Sequence, residues 1–189
     1  MLQILEKEYN LQKNFVEFNL NNMEIDTKKY SKNEILNTFS IGAISNNIMQ
    51  IGFNEYKILL FLLSNQISRI KVFEFSNKSA KNYEYLNSVF PDRISIIYGK
   101  TNKTIVDYMC NDFEKFDLIH LNNLNNYEII RLDILNCYYV SNKKTIILYE
   151  NLQNVLLDLI KQEIIVKTRG NDYLLDTNNN QVLLKYNNI

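Results

Sequence analysis

Residues 48–62 read IMQIGFNEYKILLFL, an apolar run interrupted by one glycine and a short polar segment. The pattern predicts a buried strand, a turn at Gly52 and then an apolar helix. This order is typical of the first unit of a nucleotide-type Rossmann fold, where polar ligand groups meet the turn and the helix N-terminus. Such turns use several glycines so that the backbone can approach a ligand closely. Here only Gly52 is present, and Tyr56 stands where a second glycine is expected.

Strand and helix patterns alternate along the chain on either side of this segment. The predicted strands lie at 47–52, 69–75, 93–98, 116–121, 144–149 and 163–167, and the predicted helices at 31–44, 55–64, 78–90, 103–113, 127–139 and 152–161. The first of these helices begins at a capping box formed by Ser31 and Glu34. Alternation of this kind predicts a parallel sheet with right-handed crossovers.

The C-terminal part changes to a hairpin pattern. Segments 173–175 and 182–186 flank the turn-forming residues 176–180. We therefore expect an α/β domain over residues 31–189, with a mostly parallel seven-stranded sheet, a C-terminal antiparallel hairpin and helices on both faces. Residues 1–30 are expected to be an N-terminal extension. In it Val16, Phe18 and Leu20 alternate with polar residues, which predicts an extended piece.

The composition excludes several classes of partner. The 189 residues carry 21 basic and 21 acidic side chains, so the net charge is zero and no basic patch favours nucleic acid. No apolar stretch reaches the roughly 18–20 residues of a membrane span, and acidic residues interrupt the N-terminus before a signal sequence could form. We expect a cytoplasmic protein with no nucleic-acid or membrane partner. Cys110 and Cys137 are expected to be buried thiols in helices.

Several segments resemble the class I S-adenosylmethionine-dependent methyltransferases, and above all the small-molecule and sugar O-methyltransferase-like branch of bacteria and large DNA viruses. That branch carries EIGFNAGHS where residues 50–58 read QIGFNEYKI, and FDLIFIDGGHxYE where residues 116–128 read FDLIHLNNLNNYE. Residues 84–87 (EYLN) and 90–93 (FPDR) also fit the pattern. The resemblance covers roughly residues 45–160 and implies a Rossmann-like methyltransferase fold.

The resemblance also implies a cofactor site, but its acids are replaced. The implied cofactor-binding residues are Gly52, Phe53, Asn54, Tyr56, Ser76 and Lys100. Gln50 replaces the acid that opens the first motif, Ser76 the acid that accepts from the ribose hydroxyls, and Lys100 the acid near the adenine. Glu74 lies two residues before Ser76 and would substitute only if the strand end shifts. Each lost charged hydrogen bond costs about 1.5–3 kcal/mol, so we expect S-adenosylmethionine binding to be lost.

The implied catalytic and metal positions are depleted as well. Asn122 and Asn125 stand where the branch has an aspartate and a histidine, and Glu150–Asn151 where metal-dependent members have an Asp-Asn pair. Asn122, Asn125 and Glu150 are thus the implied catalytic positions. Magnesium would be held by Asn122, Glu150 and Asn151, which supply only one carboxylate. Mg²⁺ favours carboxylate ligands, so we expect weak magnesium binding at best.

Structural roles compete with functional ones at several of these positions. Tyr56 is expected to be a packing or plugging side chain near the methionine moiety, and His120, the only histidine, a core residue. Gly52 either lines a site or only makes a turn. The asparagines after residue 121 either bind a ligand or form an ordinary loop, and Glu150–Asn151 either forms a site or caps a helix.

Three functional hypotheses follow. The first is a pseudoenzyme kept for interaction or assembly, as a homo-oligomer or with a protein partner, in a viral or glycan-modifying system. Residues 1–30 are the first candidate for that contact. The alternative is an active S-adenosylmethionine-dependent methyltransferase acting on a sugar or other small hydroxyl or amine, with Glu150 as base or metal ligand. The third is a binding module for another nucleotide-like ligand. The dominant Asn, Ile, Lys, Leu and Tyr have A/T-rich codons, which predicts an AT-rich genome and, for a viral source, a location in the host cytoplasm.

Overall fold

The computed structural model describes residues 2–23, 30–111, 114–122, 126–150, 154–167 and 181–187. The strands are β1 (Asn47–Ile51), β2 (Arg69–Glu74), β3 (Ile94–Tyr98), β4 (Phe116–Leu121), β5 (Ser141–Glu150), β6 (Ile165–Lys167) and β7 (Gln181–Tyr186). The helices are α1 (Leu2–Asn22), α2 (Lys32–Ala43), α3 (Glu55–Ser64), α4 (Ala80–Val89), α5 (Thr101–Asn111), α6 (Tyr127–Cys137) and α7 (Asn154–Lys161). A short 3-10 turn, Asn77–Ser79, leads into α4.

The strands form one seven-stranded sheet in the order β3-β2-β1-β4-β5-β7-β6. The pairs from β3 to β5 are parallel, and β7 runs antiparallel to both β5 and β6. The mostly parallel sheet with a C-terminal antiparallel hairpin is therefore confirmed. Among the described strands, the partner of β7 in the hairpin is β6. The predicted strand at 173–175 lies outside the described residues.

Two apolar layers cover the two faces of the sheet, because alternate side chains of each buried strand point to opposite faces. On β1, Ile48 belongs to the layer that contains residues of α2, α3 and α4. Met49 belongs to the layer that contains residues of α5, α6 and α7. The central strands are buried on both sides, as expected for a parallel sheet. Helices on both faces are thus confirmed.

The N-terminal segment is helical, so the extended piece predicted there is wrong. Val16, Asn19 and Met23 are buried at helical spacing and point toward the body of the protein. Val16 and Met23 join the core layer of α2 and α3, and the Asn19 side chain accepts a hydrogen bond from the Tyr85 hydroxyl (2.9 Å). Phe18, which suggested alternation, is 63% exposed on the outer side of α1.

Two further expectations have direct outcomes. Ser31 caps α2 by accepting from the Glu34 N–H at 3.2 Å, as predicted. Cys137 is buried, but Cys110 is exposed, so the prediction of two buried thiols is wrong for Cys110. Burial raises the pKa of the Cys137 thiol well above its usual value.

Within the described ranges, no helix combines the length and apolar character that crossing a bilayer would need.

Candidate functional site

The turn after β1 lies at the carboxyl edge of the parallel strands, where ligands bind in open α/β sheets. Gly52 has φ +79, in the left-handed region that glycine adopts at little cost. A Cβ built at this position would lie 3.0 Å from the backbone oxygen of Asn122. The Asn122 N–H in turn donates to the Ile51 carbonyl at 2.9 Å. A glycine is therefore required here by the close approach of the segment after β4.

Side-chain amides of the protein donate hydrogen bonds to the backbone carbonyl groups of this turn. The Gln50 amide donates to the Gly52 oxygen at 2.9 Å, and the Asn122 amide donates to the Phe53 oxygen at 3.2 Å. Asn54 links the two sides by donating to the Asn122 side-chain oxygen at 3.2 Å. Gln50 is fully buried. We call these three amides the inner half of the site. Their hydrogen bonds hold the turn after β1 against the segment after β4.

His120 supports the inner half from β4. Its Nδ1 lies 3.2 Å from the side-chain oxygen of Gln50, and its ring packs edge-on against Phe61 at 5.8 Å. The side chain is completely buried, so the prediction of a core histidine is confirmed. Gln50 thus uses its oxygen for His120 and its amide nitrogen for the turn, which leaves its hydrogen-bonding groups engaged by the protein.

The N-terminus of α3 is capped by the chain and supported by a buried ion pair. The Asn54 side chain accepts from the Lys57 N–H at 3.0 Å. The Lys57 ammonium, fully buried, donates to the Glu34 carboxylate at 2.8 Å and to the Thr38 hydroxyl at 2.9 Å. No motif in the sequence predicts this pair. A lysine within an otherwise apolar helix is the one signal from which a buried partner could have been expected.

Tyr56 lies in the core and packs against aromatic neighbours. Its ring stacks on Tyr30 with 4.1 Å between centroids and an interplanar angle of 18°. The residue is 2% exposed and belongs to the layer of α2 and α3. Burial raises the pKa of its hydroxyl well above the usual value. The structure therefore gives Tyr56 a packing role, and the contacts of its ring are with this layer.

A second polar region, which we call the outer cleft, lies at the end of β2. β2 ends at Glu74, one residue before its predicted end, and Ser76 lies two residues beyond Glu74. The Glu74 carboxylate accepts from the Phe53 N–H at 2.6 Å and from the Ser76 N–H at 3.1 Å. The cleft has a volume of about 230 Å³ and is lined by Phe53, Glu55, Glu74, Ser76, Lys78 and Ser79.

No protein-family model matches the sequence, and no curated protein matches it. Solved structures match by shape. A putative caffeoyl-CoA O-methyltransferase from Staphylococcus aureus has a TM-score of 0.66 and 11% identity, covering 98% of this chain and 99% of that chain. An O-methyltransferase from Bacillus cereus in complex with SAH (S-adenosylhomocysteine) has a TM-score of 0.64 and 16% identity, covering 97% and 98%. The chain spans only 53% of the mitomycin 7-O-methyltransferase MmcR (TM-score 0.57, 8% identity, 80% of this chain).

The chain has the fold of the class I S-adenosylmethionine-dependent O-methyltransferases. The resemblance inferred from the sequence is thus confirmed at the level of the fold. Sequence identities of 16% and below support a shared fold and nothing more. Any activity therefore has to be argued from the residues of the site.

Lys100 stands apart from both halves of the site. It follows Gly99, and its backbone carbonyl accepts from the Lys103 and Thr104 N–H groups at 2.8 and 3.0 Å. This carbonyl therefore begins α5. The Lys100 side chain is exposed and does not line the outer cleft. The structure brings Gly52, Phe53 and Asn54 together with Asn122, but it does not add Lys100 to them.

The predicted catalytic and metal positions are only partly described. Asn122 belongs to the inner half, where its side-chain nitrogen donates to the Phe53 carbonyl and its side-chain oxygen accepts from Asn54. Asn125 and Asn151 lie outside the described residues, and Glu150 ends β5 opposite Gln181 of β7. Among the described side chains no group of three His, Cys, Asp or Glu residues is arranged to hold a metal ion. The magnesium set therefore stays a prediction.

Proposed function

We propose that this domain is a methyltransferase-like pseudoenzyme that does not use S-adenosylmethionine as a methyl donor. One observation carries the proposal. The carbonyl groups of Gly52 and Phe53, at the turn where the resemblance implies the methionine part of the donor, accept hydrogen bonds from the amides of Gln50 and Asn122. The donor would have to displace contacts that the protein already makes.

Displacement is unfavourable because the inner half is buried and interlinked. Breaking a bond at Gln50 leaves a buried amide unpaired, which costs about 1–3 kcal/mol for each group. Gln50 is also neutral where the resemblance implies an acid. The inner half therefore offers no charge to an ammonium group and gives up protein contacts to admit one.

Isothermal titration calorimetry with S-adenosylmethionine and with SAH, each with and without Mg²⁺, tests the proposal. We expect dissociation constants no tighter than about 0.1 mM for either compound. Micromolar binding would contradict it. The paired variant Gln50→Glu with Asn122→Asp restores acids at both positions without touching the core residue Tyr56. Recovered affinity in that variant would identify the inner half as a former donor site.

An interaction role is supported by the outer side of α1. Ile4 and Phe18 are each 63% exposed, although the opposite side of the same helix is buried in the core. Exposed apolar side chains on one side of a helix are candidates for a contact between protein chains. The partner would be a second copy or another protein. Light scattering of the purified chain and of the double variant Ile4→Ser with Phe18→Ser tests self-association, because loss of a dimer in the variant would assign the contact to α1.

An active methyltransferase acting on a sugar or another small hydroxyl or amine is the second candidate. The observation that favours it is Glu74, which puts a carboxylate at the end of β2 beside an open cleft. The discriminating assay measures SAH release from S-adenosylmethionine in the presence of sugars and simple amines. We expect none above the rate without protein, and sustained release dependent on an acceptor would favour the enzyme.

A further inference from the structure

We propose that β3 pairs edge to edge with β3 of a second copy of this chain, so that the two sheets join into one continuous sheet across a two-fold axis. This pairing goes beyond the proposed function, because it holds whether or not the domain binds a methyl donor. Three features of β3 support it: the backbone groups that the strand leaves open, the residue types along its edge and the charges at its two ends.

β3 is an outer strand of the sheet, and its one partner among the described strands is β2. Two backbone bonds show which of its groups face β2. The Arg93 carbonyl accepts from the Ile70 N–H at 2.8 Å, and the Gly99 N–H donates to the Glu74 carbonyl at 2.9 Å. Because the backbone groups of successive residues in a strand point to opposite edges, the odd-numbered residues of β3 face β2. The N–H and C=O groups that point to the open edge are therefore those of Ile94, Ile96 and Tyr98.

The residues of β3 do not protect this edge. Sheet edges are usually protected by lysine or proline, by a bulge or by a very short strand. The five residues of β3 read ISIIY, with no charged residue and no proline, and their register with β2 is regular. The other outer strand, β6, has three residues in the described part of the chain and ends at Lys167. β3 is therefore the edge on which a further strand can form several backbone bonds.

The open groups of β3 are self-complementary in one antiparallel register. With Ile96 opposite Ile96 of the second copy, Ile94 of each copy lies opposite Tyr98 of the other, and each open group meets an open partner. This register forms about six backbone hydrogen bonds, whereas a shift by two residues leaves about four. Side chains of opposite residues share a face. Ile94 and Ile96 already pack against the layer of α2, α3 and α4, so the new apolar pairs would extend that layer across the axis.

The charges at the ends of β3 favour an antiparallel pair of identical strands. Asp92 precedes the strand and Lys100 follows it, and both are exposed. The antiparallel pair brings Asp92 of each copy toward Lys100 of the other, whereas a parallel pair would bring like charges together. The Arg93 guanidinium does not oppose Lys100, because it is directed into its own chain and donates to the Ser68 and Leu62 carbonyls at 3.0 and 2.9 Å.

Light scattering and amide hydrogen exchange of the full chain, at concentrations from about 10 μM to about 1 mM, test the pairing. We expect the mass to rise toward twice the 22.5 kDa of one chain, with a dissociation constant of about 10–100 μM for so small a contact. At the lowest concentration the Ile96 and Tyr98 amides should exchange at least about tenfold faster than those of Ser95 and Ile97, which face β2. At the highest concentration the exchange of Ile96 and Tyr98 should slow at least about threefold.

Two variants at one exposed position separate the backbone bonds from the side chain. Tyr98→Pro removes an N–H that points to the open edge and none that faces β2, and proline is tolerated at a sheet edge in that orientation. We expect it to weaken dimerisation at least about tenfold. The matched control Tyr98→Thr keeps the N–H and a residue that favours strands, so it should weaken dimerisation less than about fivefold.

Several results would overturn the inference. One is a monomer over the whole concentration range, and another is a dimer in which the Ile96 and Tyr98 amides still exchange fast. A dimer that persists in Tyr98→Pro, or that is lost in Ile4→Ser with Phe18→Ser, would place the contact elsewhere. Should Tyr98→Pro fail to fold, amide exchange in the unaltered chain tests the same edge. None of these results bears on donor binding, so the calorimetric test of the proposed function stays separate.

Discussion

The inner half and the outer cleft lie on either side of Phe53, yet they differ in how their polar groups are used. In the inner half, Gln50, Asn54 and Asn122 donate to groups of the protein itself. In the outer cleft, Glu74 keeps acceptor capacity and the Ser79 hydroxyl has no partner among the described residues. The difference indicates that polar groups on the two sides of one turn are satisfied independently of each other.

The largest expected effect concerns the support beneath the inner half. Glu34→Ala leaves the fully buried ammonium of Lys57 without its carboxylate. We expect the free energy of unfolding to fall by about 3–5 kcal/mol, as measured by chemical denaturation. The control is Glu17→Ala, which removes the exposed Lys13–Glu17 pair and should cost less than about 1 kcal/mol.

A compensating variant tests whether charge is the cause. Replacing both partners, as Glu34→Ala with Lys57→Met, removes the buried ammonium together with its carboxylate and should recover most of the lost stability, because an apolar chain of similar length fills the space. A double variant as unstable as Glu34→Ala alone would mean that packing and not the ion pair holds α2 on α3.

Opening the inner half should lower the free energy of unfolding by less than Glu34→Ala does, but by a measurable amount. Gln50→Leu removes the donor to the Gly52 oxygen and the partner of the His120 ring. Since both partners are left in a buried region, we expect a loss of about 2–4 kcal/mol in the free energy of unfolding. A change below about 0.5 kcal/mol would show that the amides do not hold the turn closed.

A buried carboxylate that belongs neither to the inner half nor to the outer cleft provides a third prediction. Asp133 of α6 is fully buried and accepts one bond, from the Thr101 hydroxyl at 2.8 Å. Burial raises its pKa to about 6, and the bond from Thr101 opposes the shift only in part. The folded state therefore binds this proton more tightly than the unfolded state does. The stability that it contributes is full below about pH 4 and is lost as the pH rises through about 6.

Asp133→Asn should accordingly stabilise the protein at pH 7.5 by about 2 kcal/mol and have little effect below about pH 4. Denaturation curves at a series of pH values measure this. A difference between variant and parent that stays constant from pH 4 to 8 would mean that the Asp133 carboxyl does not titrate in this range.

The framework of the fold could be predicted because apolar periodicity decides it. The strands from β1 to β5 and the helices between them repeat the local pattern of the sequence closely. The N-terminal helix was missed because Val16, Phe18 and Leu20 alternate over five residues, a span too short to separate a strand from one side of a helix. Only packing, with Val16 and Met23 buried seven residues apart, distinguishes the two.

The site was harder to predict because its contacts join distant parts of the chain. The predicted end of β2, at residue 75, is one residue too late, because the strand ends where Glu74 pairs with Tyr98 of β3. Asn122 was identified as a site residue, but its partner Asn54 is 68 residues away. No local pattern tells whether an amide will face a ligand or another amide.

The smallest expected effect is also the sharpest contrast between the two halves. Ser79→Ala removes a hydroxyl that has no partner within the described part of the chain, so no bond is lost. We expect the free energy of unfolding to change by less than about 0.5 kcal/mol or to rise slightly, since the desolvation of an unpaired hydroxyl is relieved. A loss of more than about 1 kcal/mol in stability would mean instead that the Ser79 hydroxyl is hydrogen-bonded within the protein. The polar groups of the outer cleft would then be paired with the protein itself, as those of the inner half are.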